Sequence, residues 1–175
     1  MSIRKSNSFS RGKQSEYRFS EAIQSMGMVC RKSSRNDDIY NHIDFYIEDS
    51  ATNDFIASVD VKGGNFMHTI WVELQNVRGN KGWLYGKASV IAFEIPEIGG
   101  FSCVLTKHLR GYVEQNVSDK FTTKDKAYKN LYTRKDREDI ITSLSLDDLK
   151  EIKSYKVLKY SNEYKHPTTN KRILI

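Results

Sequence analysis

Apolar and polar positions alternate along residues 39–62 in a way that predicts two successive β-strands. In the first, Ile43, Phe45 and Ile47 are expected on one face and His42, Asp44 and Tyr46 on the other. The second, Ile56-Ala57-Ser58-Val59-Asp60-Val61-Lys62, sends Asp60 and Lys62 one way while Val59 and Val61 pack on the opposite face. Upstream, Tyr17, Phe19, Ala22, Ile23 and Met26 recur with helical spacing over residues 14–27, and Gly27 suits the C-terminal cap. Residues 28–30 read as a short strand or turn. The two strands run about 40–47 and 55–62, and further strands are expected at about 69–76, 88–95 and 101–105. The stretch 88–95 is almost continuously apolar, as a buried central strand would be. Residues 109–117, the Lys-rich region at 127–131 and residues 146–152 read as helices. The order of elements is an αβββ core with a mixed sheet flanked by helices, followed by C-terminal helical additions.

Nothing resembling a Pro- or Ser-rich linker divides the 175 residues, so one domain is expected over 14–175, with its core at about 14–117 and a helical, basic extension at 118–175. Residues 1–13 are too polar to pack and read as a flexible basic arm. No apolar run approaches bilayer-spanning length and the N-terminus is not signal-like, which predicts a soluble cytoplasmic protein without a membrane partner. Cys30 and Cys103 lack C-x-x-C spacing and read as buried thiols rather than zinc ligands.

Charge sharpens the picture because its signs are segregated. The net charge is +6, but residues 1–35 carry eight Lys/Arg against two acids, residues 36–100 four against ten, and residues 150–175 seven against two. Basic flanks around an acidic centre suit nucleic acid, whose phosphates the flanks would grip. Arg4, Lys5, Arg11 and Lys13 are the candidate contacts in the arm, and Arg78 and Lys81 in the glycine-rich loop at 78–86. In that loop Trp83 and Tyr85 would offer stacking surfaces to unpaired bases; equally, Trp83 would cover an edge of the core.

If the two strands at 40–47 and 55–62 form a hairpin, Asp44 comes close to Asp60. A carboxylate inside a β-forming segment costs solvation unless it is exposed, paired or bound to a cation, and two together favour a cation. With Lys62 beside them, these groups could hold a divalent metal and activate a water. The alternative is that the aspartates pair with arginines at strand ends and Lys62 is a solvated terminus. Gln75 could orient phosphate or water and His42 could contact the scissile phosphate, but a solvated strand residue and a structural histidine are the favoured readings.

The order of these motifs resembles the PD-(D/E)xK nuclease superfamily, with Asp44 matching the first aspartate and Asp60-Val61-Lys62 the second half-motif. Ile43 stands where the family name has proline. Glu16 looks like the family's early helical glutamate, and Arg11-Gly12-Lys13, Gly27, Arg31 and Ser33-Ser34 are similar to the opening of archaeal-type Holliday junction resolvases. The resemblance covers roughly residues 11–95. It implies a restriction-endonuclease-like fold and a Mg²⁺- or Mn²⁺-dependent DNA endonuclease, the metal held by Asp44, Asp60 and the Val61 carbonyl. It implies further that Lys62 orients and activates the attacking water, that Glu16 backs the metal ligands or binds a second metal, and that cleavage leaves 5′-phosphate and 3′-hydroxyl ends. A homodimer cutting both strands is expected, in a branched-DNA resolvase or a phage- or mobile-element-type endonuclease. The rival readings are a non-catalytic nucleic-acid-binding module on the same scaffold, and a structural or interaction protein.

Overall fold

In the computed structural model, residues 3–63 and 69–161 are described, with side chains from residue 11 onward. Helix α1 (Ile3–Ser25) precedes the edge strand β1 (Met28–Lys32), and Gly27, at φ +77°, turns the chain between them while its N–H bonds Gln24 O at 2.9 Å. Strands β2 (Phe45–Asp49) and β3 (Phe55–Lys62) form an antiparallel hairpin, with Phe45 opposite Val59 and Ile47 opposite Ala57. Strand β4 (Thr69–Gln75) follows, then β5 (Val90–Ile95), β6 (Gly100–Leu105), α2 (Thr106–Asn116), β7 (Ile140–Ser145), α3 (Leu146–Glu151) and β8 (Lys156–Lys159).

The main sheet has six strands in the order β1-β2-β3-β5-β6-β8. It is mixed: β3 and β5 run parallel, with Asp60 opposite Ile91, and the other neighbours are antiparallel. The molecule is thus of the α/β class. Strand alternation fills both faces. On one, Phe19 and Ile23 of α1 pack with Phe45, Ile47, Val59, Val61, Ala92 and Phe101. On the other, Ile91 and Phe93 pack beneath Ile70, Val72, Leu84, Leu109, Leu144 and Leu149. The apolar run at 88–95 is the central strand it was expected to be, because β5 is buried on both sides.

Several expectations are corrected. The helix begins at Ile3, so most of the segment read as an arm is continuous with α1. The first hairpin strand does not begin at 40. Residues 37–41 form a π-turn, and His42 takes a left-handed conformation (φ 53°) that interrupts the alternation. Ile43 therefore joins the cluster opposite α1, whereas Phe45 and Ile47 join the cluster beneath α1. Strand β4 is not the next strand of the main sheet; it pairs with β7 in a separate two-stranded sheet laid over one face. Residues 127–131 are not helical: Tyr128 and Tyr132 bridge to β7, and Lys129 has φ 52°. The extension beyond 117 thus contributes β7 and β8 as well as the expected helix at 146–152. No helix among the described residues is long and apolar enough to cross a membrane.

Candidate active site

The β2–β3 hairpin brings Asp44 and Asp60 together as its pattern implied. Asp44 precedes β2, and its backbone N–H bonds Val59 O at 2.8 Å. Its carboxylate Oδ2 accepts the Val61 N–H at 2.7 Å. A strand residue directs its N–H and C=O to the same neighbouring strand, so the Val61 carbonyl emerges on the edge that Asp44 occupies. Asp60, on the face opposite Val59 and Val61, is 3% exposed, and Asp44 is 7% exposed.

Two lysines balance these buried charges. Lys62 Nζ lies 2.8 Å from Asp60 Oδ2, an ion-pair distance without hydrogen-bond alignment, so this buried oxygen has no hydrogen-bond partner. The ammonium also sits 5.0 Å from the centre of the Trp83 ring. Burial, opposed by the Lys62 charge and reinforced by Asp44, pushes the Asp60 carboxyl up to about 7. Lys32, at the end of β1, was not anticipated. Its Nζ lies 2.6 Å from Glu16 Oε2 and 3.5 Å from Asp44 Oδ1, tying the helical glutamate to the first aspartate. Burial alone would lower the Lys32 pKa; the hydrogen bond to Glu16 and the charges of Asp44, Glu16 and Asp38 outweigh it and hold it above its ordinary value. Lys32 is opposite Phe45 in the β1–β2 ladder, a pairing hidden in the sequence by the intervening residues 33–44.

Glu16 and Lys32 also line a cleft of about 640 Å³, together with Lys13, Ser33, Arg35 and Asp38. This open cleft adjoins Asp44 through Lys32. Arg11 is exposed on the same helix. Arg4 and Lys5 fall where side chains are not described.

Other expected participants are placed differently. Trp83 is buried at 8% exposure, its ring edge-on to Phe93 at 5.8 Å, so it covers the core and carries Lys62 rather than offering a surface for bases. Arg78 and Lys81 are exposed on the loop, as a phosphate contact requires. Gln75 donates from Nε2 to Glu138 O and is committed to a loop contact, since β4 has left the main sheet. His42 is half-buried beside the cluster. Burial and the Lys62 charge lower its pKa against the opposing charges of Asp38 and Asp44. Glu73 of β4 was also overlooked. It is raised by burial, feels the Lys62 charge, and accepts the Trp83 backbone N–H.

The donor set suits a hard divalent cation: two adjacent buried carboxylates, one oxygen lacking a hydrogen bond, and a backbone carbonyl on the same edge. Among the described residues no group of three or more His, Cys, Asp or Glu side chains forms a metal cage, so such an ion would depend on that carbonyl and on water or substrate oxygens. The wall behind His42 is tight. A Cβ at Gly86 would lie 2.8 Å from His42 Cβ and 3.0 Å from Asn41 O. Gly86→Ala is therefore expected to cost about 1–3 kcal/mol and to displace His42, read as a lower denaturation midpoint and an altered His42 NMR signal. An unchanged midpoint would mean that the loop yields freely. No family model, no curated protein and no solved structure matches this chain.

Proposed function

We propose that the chain is a metal-dependent DNA endonuclease built on a restriction-endonuclease-like core. The observation that carries this reading is the convergence of buried Asp44 and Asp60 with Lys62 on one hairpin, flanked by the Val61 carbonyl. Asp44, Asp60 and that carbonyl would hold Mg²⁺ or Mn²⁺, which supplies Lewis-acid activation of water and neutralises phosphate charge. The residues do the rest. Lys62, held between Asp60 and the Trp83 face, donates hydrogen bonds that orient the attacking water and oppose the charge gathering on the phosphate oxygens. The carboxylates exclude a competing anion. Glu16 acts through Lys32, whose ammonium fixes the Asp44 carboxylate in place. Lys13 and Arg35 at the cleft, with Arg78 and Lys81 beyond it, would hold backbone phosphates. Double-strand cleavage would use a homodimer.

The test is incubation with supercoiled plasmid, single strands and a four-way junction in Mg²⁺, Ca²⁺ or EDTA. Cleavage is expected in Mg²⁺ or Mn²⁺, binding without appreciable turnover in Ca²⁺, because its longer, looser coordination positions water poorly, and binding without cleavage in EDTA. Full activity in EDTA would remove the metal from the mechanism. One observation favours the non-catalytic scaffold: Lys32 and Lys62 already neutralise the two carboxylates without a metal. That reading requires DNA binding, no cleavage of any substrate, and no calorimetric signal on Mg²⁺ or Mn²⁺ titration.

A further inference from the structure

The two-stranded sheet has a second face that the proposed chemistry does not use. Ile70, Val72 and Leu144 point into the core. Their alternates, Trp71 and Glu73 on β4 and Ile141 and Ser143 on β7, lie on the outer face. Tyr132 extends this face, exchanging both backbone hydrogen bonds with Ile141 (2.8 and 2.9 Å), which puts its side chain on the same side as Ile141 and Glu73. The Trp71 and Tyr132 rings lean together over the small, buried Ser143, with centroids 6.3 Å apart and planes at 51°. Both rings, and Ile141 opposite Tyr132, remain partly exposed.

The chain that supplies Tyr132 is basic. The segment 118–137, which supplies Tyr132, carries seven Lys/Arg against three Asp. Two residues beyond Tyr132, Arg134 is anchored by the buried Asp139, while Lys135 and Arg137 are exposed. The neighbouring acids are Asp136, Glu138 and the buried Asp139 in the chain after Tyr132, and Glu73 on the face itself. The face is also continuous with the candidate active site. Glu73 stands in the fields of both Lys62 and Arg134, and its carboxylate accepts the N–H of Trp83, whose ring carries Lys62. Gly82, next to Trp83, lies against Glu73, so the edge of this face adjoins the Trp83–Lys62 contact.

We propose that the outer face of the β4–β7 sheet, with Trp71 and Tyr132 as its rings, binds unpaired bases of a DNA strand next to the cleavage site. Aromatic faces stack on any base, and the exposed Lys135 and Arg137 follow the phosphates. A duplex, whose bases are already stacked on one another, gains nothing from the rings. The proposal rests on the nuclease reading for its biological use and names the substrate class: DNA with single-stranded character, such as a flap, a junction arm or a frayed end.

The test measures binding without catalysis. Fluorescence anisotropy in EDTA compares a labelled oligo(dT) with a duplex of equal length. Trp71→Ala and Tyr132→Ala are each expected to weaken oligo(dT) binding about tenfold and leave duplex binding unchanged, whereas Trp71→Phe and Tyr132→Phe keep most of the affinity. Lys135→Ala with Arg137→Ala should weaken both ligands and make the salt dependence shallower. Intrinsic fluorescence gives a second readout that needs no truncated variant. Oligo(dT) should quench the intact protein, and Trp71→Phe should remove the quench because Trp83 is buried. Failure of oligo(dT) to bind, equal losses for oligo(dT) and duplex, or a quench that survives Trp71→Phe would each overturn the proposal. If oligo(dT) binds as described while plasmid is not cut in Mg²⁺, the nuclease reading alone fails; cleavage without ring-dependent binding removes only the stacking face.

Discussion

Asp60→Asn is expected to lower plasmid cleavage on the order of a thousandfold while raising the thermal stability of the metal-free protein near pH 8. The loss of activity follows from removing half of the paired negative charge that would hold the cation and position Lys62. The gain in stability follows from the same burial. Asp60 is raised in the folded protein to about 7, against an ordinary value near 4 in the unfolded chain, so the folded state holds its proton more tightly. A raised carboxyl has its full stabilising effect below the unfolded pKa, and that effect is lost as pH rises through the folded value. Between about pH 4 and pH 7 the wild type therefore accumulates a penalty that the asparagine variant escapes, on the order of 2–4 kcal/mol once the lost contact with Lys62 is allowed for. Thermal melts in EDTA at about pH 4, 6 and 8 check this: the curves should nearly coincide at pH 4 and separate towards pH 8. Adding Mg²⁺ should stabilise the wild type and leave the variant almost unmoved, because binding to the folded state alone raises its stability. A variant less stable than the wild type at pH 8 would show that the Asp60–Lys62 pair is a net stabilising ion pair, and the case for a metal would weaken with it.

The hairpin that holds these residues was legible because its signal is local. Alternation over residues 55–62 fixes which side chains share a face, and Asp60 and Lys62 fall together opposite Val59 and Val61 as that pattern requires. What could not be read depends on contacts between distant segments. Lys32 reaches Asp44 through a strand pairing that no residue type announces. Strand β4 has the composition of any half-buried strand, and only its partner decides its sheet; that partner, β7, lies about seventy residues further on, between the two stretches 127–131 and 146–152 whose pattern is helical. Trp83 has the same ambiguity at the level of one side chain. A tryptophan in a glycine-rich loop suits either a ligand or the core, and here Phe93 and Lys62 occupy its surfaces. Trp71, inside a strand, attracted no notice because the pairing that brings Tyr132 beside it joins residues far apart in sequence.

Glu94→Ala is expected to produce the largest loss of stability, about 3–5 kcal/mol, and to reduce cleavage without touching substrate. Glu94, on β5, is 2% exposed and accepts hydrogen bonds from Ser15 and Arg18 of α1, with Arg18 Nη2 at 2.7 Å, and from the Tyr160 hydroxyl at 2.8 Å. Removing it takes away the carboxylate paired with the buried Arg18 guanidinium, and breaking a buried ion pair costs several times more than an exposed pair contributes. The network is also the fastening of the helix that carries Glu16. Ser15 lies so close to Gly63, the residue after Lys62, that a Cβ there would fall 2.0 Å from Ser15 Oγ. Releasing Ser15 and Arg18 thus loosens α1 against the end of β3, and with it the spacing of Glu16, Lys32 and Asp44. The pH dependence has the opposite sign from that of Asp60. Burial alone would raise Glu94, but its hydrogen bonds from Arg18, Ser15 and Tyr160 prevail and hold it below its ordinary value. Its contribution is present above the unfolded pKa of about 4.3 and is lost as pH falls through the lower folded value. Denaturant unfolding at neutral pH should give the full difference, and the gap between variant and wild type should narrow in acid. The double variant Arg18→Met with Glu94→Leu, which removes both charges, should recover much of the stability lost by Glu94→Ala. If the double variant is no more stable than the single one, the cost lies in lost packing rather than in the broken ion pair.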